Sequence, residues 1–351
     1  MSPTPPLHAN WVGPEVCTYK GVYCADSLFD NSTHVVAGVD LNGADIAGYL
    51  PKELGLLTDA AVFHINSNRF CGIIPKSMSK LVLLHEFDVS NNRFVGTFPK
   101  VVLFMPALKY LDLRFNDFEG PLPAELFDKD LDALFLNDNR FDSPLPENFG
   151  NSSVSVMVLA NNKLGGCIPS SIGRMGATLN EIVMMNNGLV GCLPSEIGQL
   201  ANVTVFDVGY NSLTGVLPKT FDGLSSVENF DCASNSLTGA VPESLCKLPS
   251  LKNLTISYNF FNVQAKECLP NARSGVSFDD TSNCLPDRPG QKSGKIVSGA
   301  CEHDRSIGEW KCGSGAGSSQ PDAVPVPGDP SPKPTSSEGN RAVLKPNAAP
   351  T

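Results

Sequence analysis

The chain has 351 residues, with 36 acidic and 26 basic side chains and a formal net charge of −10 at pH 7. That balance argues against nucleic acid as a partner, because a phosphate backbone needs a basic surface. No apolar run approaches the roughly 18–20 residues that cross a bilayer, so no segment reads as a membrane span.

Residues 1–34 read as an N-terminal cap. The opening Met1-Ser2-Pro3-Thr4-Pro5-Pro6 lacks the apolar centre of a signal peptide. Cys17 and Cys24 then bracket a short loop, which suits a disulfide. A missing leader conflicts with the oxidised cysteines argued below, and the expectation is a truncated or altered N-terminus.

Residues 35–262 repeat one sentence, Asn-x-φ-x-Gly-x-φ-Pro, where φ is apolar. Its proline recurs at Pro51, Pro75, Pro99, Pro123, Pro146, Pro169, Pro194, Pro218 and Pro242. Its asparagine recurs at Asn68, Asn92, Asn116, Asn139, Asn162, Asn187, Asn211, Asn235 and Asn259. A fixed step of about 24 residues marks a leucine-rich-repeat solenoid. Such coils present a long surface and bind more often than they transform. Each rung opens on a short alternating strand, as in Leu111-Asp112-Leu113 and Phe206-Asp207-Val208. A strand so short must pair with the next rung in a parallel sheet. The asparagine turns inward and satisfies backbone groups of the turn, the glycine permits a bend, and the proline presets the return. The Gly-x-φ-Pro ending resembles the plant-specific class of these repeats. The expected fold is therefore an α/β solenoid of about ten rungs, with a parallel sheet on its concave face and disulfide-linked caps. Ala44 replaces asparagine in the first rung and Ser143 replaces glycine in the fifth, and neither threatens the coil.

Strand residues that alternate with the buried ones face the concave side. Its middle rungs carry Tyr110, Phe115, Phe135, Val156, Val158, Val183, Met185 and Tyr210. Around them stand Glu86, Asp88, Asp112, Asp138, Glu181, Asp207 and Asp231, with Arg114 as the one arginine or lysine. An apolar centre inside an acidic rim fits a basic, folded peptide: the centre supplies anchors and the rim supplies steering. The plainer alternative is that the aspartates only solubilise an exposed sheet. Asp88 and Asp112 are neighbours in one column, and paired carboxylates serve glycoside hydrolysis. A flat ladder, however, offers no cleft to raise one pKa. His64 stands between Asp40 and Asp88 without a partnered nucleophile, and neither zinc spacing nor a phosphate loop occurs. The chain is expected to be a binding protein and not an enzyme, with no cofactor and no metal.

The 11 cysteines point to a secreted, oxidising setting. Cys167 and Cys192 each precede a repeat proline by two residues, so they share a column on adjacent rungs, about 5 Å apart, and are expected to pair. Cys246 and Cys268 flank the last rung and form a third expected pair. Cys232 fills an inward slot as a small apolar side chain. Cys71, Cys232, Cys284, Cys301 and Cys312 remain, an odd number that hints at a bridge between chains, with Cys71 the first candidate; a free thiol fits equally. Asn31, Asn151, Asn202 and Asn253 head glycosylation sequons. Residues 263–312 read as a Cys-rich C-terminal cap, and residues 313–351 as a disordered Pro/Ser-rich tail.

The stretches ANWVGPEVCTYKGVYC, FDKDLDALFLNDNRF, GGCIPSSIG and GCLPSEIG resemble the leucine-rich-repeat extensins of plant cell walls, pollen-type members included. The resemblance runs from about Asn10 to about Pro289. It implies a secreted wall protein whose repeat domain binds rapid alkalinization factor peptides, which are small, basic and disulfide-bonded. It also implies a homodimer, and a role in wall integrity and growth. The family's binding residues carry over only as the acidic and aromatic positions above. One departure concerns the tail, which offers Asp329-Pro330-Ser331-Pro332-Lys333-Pro334 in place of blocks of serine followed by three or more prolines. Wall anchoring through an extensin tail is therefore in doubt. Two other functions compete: an inhibitor of wall-degrading glycosidases, and a structural component that binds pectin, which the acidic charge disfavours unless a basic peptide bridges the two.

Overall fold

A computed structural model describes residues 11–30, 32–269 and 272–292. Its principal sheet has 12 strands. The first, Val22–Asp26, runs antiparallel to His34–Asp40 and closes the N-terminal edge. Every later strand is parallel and in register, so that Glu86 lies beside Tyr110, and Asp88 beside Asp112 beside Phe135. One side chain per rung therefore shares each column of the face.

The asparagines join the rungs from inside. Asn92 Nδ2 donates to the carbonyls of Val89 and Ser90 on its own rung and of Ile65 on the preceding one, at 3.1, 2.9 and 2.9 Å. Its Oδ1 accepts the Phe70 N–H at 2.9 Å. This answers where the turn's backbone groups go, which a buried turn must do. Beneath the ladder Phe70, Phe94, Phe118 and Phe141 form a stack with centroids 6.4, 6.3 and 6.4 Å apart.

The return path is not an α-helix in most rungs. Segments such as Lys52–Leu56, Lys76–Lys80 and Ala124–Asp128 are 3₁₀ turns that begin directly after a repeat proline. Among the described residues the one α-helix is Glu243–Cys246. A tighter 3₁₀ turn rises more per residue and lets a short rung close.

A second layer of strands follows the asparagine turn, and it is broken in two. Five strands from Ala47–Tyr49 to Arg140–Phe141 form one part, and four from Val190–Cys192 to Phe260–Gln264 form the other. The break falls on the rung of Asn162, where Gly165 and Gly166 both adopt left-handed backbone, φ 58° and 64°. There the ladder also fails locally, and Asn187 Oδ1 is buried without a hydrogen-bond donor.

The coil continues past residue 262. Ser277–Asp279 adds a last strand, and Asn283 repeats the ladder bonds to Ile256, Asp280 and Thr281. Arg288 clamps buried Asp280 in two-pronged fashion, and the Lys292 ammonium lies 3.3 Å from the Phe260 ring centroid.

Cys17–Cys24 and Cys246–Cys268 are disulfides, with Cα separations of 5.6 and 5.2 Å. The expected Cys167–Cys192 bridge does not form. Cys167 is disulfide-bonded, but the Cys192 sulfur leans towards Gly215 on the following rung, 2.7 Å from where a Cβ would stand there. A shared column fixes the Cα spacing and not the direction of the side chains. Cys71 and Cys232 are thiols, the latter fully buried, and Cys284 is disulfide-bonded. Asn31, Cys301, Cys312 and residues 313–351 lie outside the described residues.

Candidate functional site on the concave sheet

The three columns of the strand and its exit build the face. At the strand's third position stand Asp88, Asp112, Asp207 and Asp231, and each turns one carboxylate oxygen back on its own rung. Asp88 accepts the Ser90 N–H at 2.9 Å, Asp112 that of Arg114 at 3.1 Å, Asp207 that of Gly209 at 2.9 Å and Asp231 that of Ala233 at 2.8 Å. An Asx turn of this kind caps the end of a strand. These aspartates therefore have a structural task that neither a steering rim nor simple solubility anticipates.

Burial corrects the rim further. Asp112 is 0% and Asp88 8% exposed, so neither is an open steering charge. Arg114 Nε lies 3.0 Å from Asp112 Oδ2, and the Tyr110 hydroxyl donates to the same oxygen at 3.3 Å. Arg114 also covers Phe135, 5.0 Å from the ring centroid, and Phe135 tilts against Tyr110 at 5.6 Å. Burial, then the adjacent Asp88 charge, pushes the Asp112 carboxyl up to about 7 against the pull of Arg114. Burial and the nearby carboxylates likewise push Tyr110 up to about 12. Burial raises Asp207 to about 6, with Asp231 adding to it, and raises Asp231 as well. The expectation that a flat ladder cannot raise a carboxylate pKa is thus wrong. Neighbouring side chains do what a cleft would do. A carboxylate so covered is still closed to substrate, which disfavours the paired-carboxylate hydrolase.

The remaining expected residues are accessible to different degrees. Glu181 is exposed, and Glu86 sits 3.0 Å from His64 Nε2. Phe135, Val158 and Met185 are half-buried and line the middle of the face. Asp138 accepts from Asn137 and Asn161 at 2.7 and 2.9 Å. Phe115 and Tyr210 are 48% and 60% exposed.

These last two belong to a column whose geometry the sequence reading missed. Ser67, Asn91, Phe115, Asp138, Asn161, Asn186, Tyr210, Ser234 and Tyr258 all have φ between 50° and 58°. The signal was present, since Asn, Asp and Ser dominate the slot and Asn and Asp tolerate left-handed backbone. Among the described residues no group of His, Cys, Asp and Glu is placed to hold a metal. The sequons Asn151, Asn202 and Asn253 are exposed.

Coil, ladder and Gly-x-φ-Pro turn together define a leucine-rich-repeat protein. Residues 201–261 match the family model described as Leucine rich repeat, and residues 107–128 match Leucine Rich Repeat. The chain is 75% identical over 308 residues to pollen-specific leucine-rich repeat extensin-like protein 2 of Arabidopsis thaliana, covering 88% of this chain and 36% of that protein. It is 67% identical over 318 residues to protein 3 of the same name and organism, covering 91% and 44%. The chain belongs to the leucine-rich-repeat extensin-like family and spans less than half the length of these relatives. Those names are of repeat and extensin-like proteins and not of enzymes. Among solved structures, a TDR receptor is similar at 29% identity and TM-score 0.68, covering 71% of this chain and 44% of that one. The plant peptide hormone receptor RGFR1, in complex with RGF2, is similar at 24% identity and TM-score 0.68, covering 71% and 40%, a likeness of fold alone. No helix among the described residues is long and apolar enough to cross a membrane.

Proposed function

We propose that this region is a secreted, wall-associated binding surface for a small, basic, disulfide-bonded peptide of the rapid alkalinization factor type, acting in wall integrity and growth. The observation that carries the reading is the pairing of Arg114 with Asp112 at 3.0 Å. While Asp112 is ionised it offsets the one arginine or lysine of these columns, which lowers the repulsion that a cationic ligand meets there. Glu86, Asp138 and Glu181 then surround Phe115, Phe135, Val158 and Met185. Apolar side chains supply anchors and the carboxylates speed encounter. Calorimetric titration of the chain with a folded peptide of this type, at two salt concentrations, tests it. Sub-micromolar binding that weakens with salt is expected, and no binding at either salt overturns the reading.

The same proposal includes a homodimer. Cys71 carries a half-buried thiol on the second strand layer, paired in register with Tyr49. Tyr49, Ile73 and Val95 around it are 75%, 64% and 43% exposed, a patch of the kind that interfaces cover. Joining two such thiols releases two protons and two electrons to a disulfide oxidant of the secretory route. Non-reducing electrophoresis should show a dimer that Cys71→Ser abolishes. A dimer of unchanged amount in that variant rejects Cys71 as the bridge.

A further inference from the structure

The C-terminal half of the concave sheet differs from the middle. There the column that carries Arg114 and Met185 further up holds only small residues: Gly209, Ala233 and Ser257, all buried. They make the floor of a shallow trough that runs across the strands, along the coil. On one side stand Asp207 and Asp231, each with one oxygen bonded to its own rung and the other left over. A Cβ on Gly209 would meet the Oδ1 atoms of both, at 3.3 and 3.2 Å, so the floor is kept open next to the carboxylates. On the other side stand Tyr210 and Tyr258, 60% and 59% exposed.

Both tyrosines hold left-handed backbone, φ 54° and 57°. A bulky residue there is a conformational outlier, whereas asparagine is at ease. The strain needs a return, and burial of the rings in a core does not provide it, because they are exposed.

Spacing selects the ligand. Tyr210 and Tyr258 lie two rungs apart in register, roughly 10 Å at the strand spacing of a sheet. An extended peptide advances about 3.3 Å per residue, so the same face returns after about 7 Å and falls out of step. A β-1,4-linked pyranose chain advances by close to one rung per sugar and turns over at each link. Every second sugar then presents the same face, which is the tyrosine repeat. We propose that this trough binds a neutral β-1,4-linked glycan, stacking alternate sugars on Tyr210 and Tyr258 while Asp207, Asp231 and Ser234 hydrogen-bond hydroxyls. Where Asp207 and Asp231 are ionised, this wall also selects against uronate chains by like-charge repulsion. Burial holds the Asp207 carboxyl up to about 6, so in an acidic medium it can donate as well as accept.

The test is calorimetric titration of the full chain with cellohexaose, maltohexaose and hexagalacturonate, for wild type and for Tyr210→Asn with Tyr258→Asn. Asparagine already occupies this slot at Asn91, Asn161 and Asn186 with φ of 50–56°, so the double variant keeps the fold, which a thermal melt checks. Ser67→Asn, in the same column at φ 58° but outside the trough, is the control. Saturable binding of cellohexaose alone, weakened at least tenfold in the double variant and kept in the control, is expected. No saturable binding of cellohexaose, equal binding of the three glycans, or full binding by a folded double variant each overturns the site.

Discussion

Asp112 shows how one side chain can serve the fold and resist it at once. Its Oδ1 caps the strand through the Arg114 N–H, yet the carboxyl is 0% exposed and pushed up to about 7. A carboxyl whose folded pKa exceeds its ordinary 3.8 holds its proton more tightly in the native state. The native chain then binds more protons than the unfolded one, so stability falls as pH rises between those values. It is greatest below about pH 4 for this group and its penalty is complete above about 7. Asp112→Asn keeps the acceptor oxygen and removes the titration. Thermal melts from pH 4 to 8 should therefore show a flatter profile for the variant, with its gain in Tm largest at neutral pH. Equal slopes for the two proteins would assign the pH dependence to other groups. It follows that lysine at Asp88 and Asp112, both buried, would disrupt the face and so would say nothing about a ligand.

The rung is the element that the sequence displays almost in full. Asn, Gly and Pro at fixed steps are local signals, each forced by one turn of backbone, and the columns of the sheet follow from counting. What counting misses is set between rungs. Whether Asp112 is open depends on Arg114, Tyr110 and Phe135, and whether Cys192 meets Cys167 depends on where its sulfur points. The broken second layer is an intermediate case. Gly165-Gly166 is visible in the sequence, but its effect appears only once both residues are left-handed and the strands on either side end. At Gly166 an added Cβ would sit 2.8 Å from Pro144 Cβ, on top of the strain of φ 64°. Gly166→Ala should cost about 1–3 kcal/mol in urea unfolding. By contrast Gly188→Ala, with nothing within 4 Å of the added carbon, isolates the φ cost alone. If both variants cost the same, the contact with Pro144 contributes nothing.

Across the whole described coil, charge and accessibility divide the acidic face into two kinds of carboxylate. Asp88 and Asp112 are inside and belong to the ladder; Glu86 and Glu181 are outside, at the first strand position, where long side chains reach into solvent. Only the outer kind can steer a basic ligand, because steering acts through charges that solvent and ligand both see. Glu86 is engaged by His64 at 3.0 Å, whereas Glu181 lies beside Val156 and Val205 in its column. Reversing both charges leaves the ladder, the phenylalanine stack and the aspartate caps untouched. Glu86→Lys with Glu181→Lys should thus leave Tm within a few degrees of wild type. It should weaken a basic disulfide-bonded peptide at least tenfold at low salt, mostly through slower association. The deficit should shrink as salt approaches 1 M, where screening acts over about 3 Å. Surface plasmon resonance at three salt concentrations separates the two rates. A loss carried by faster dissociation alone, independent of salt, would mean that these glutamates touch the peptide directly and do not guide it in.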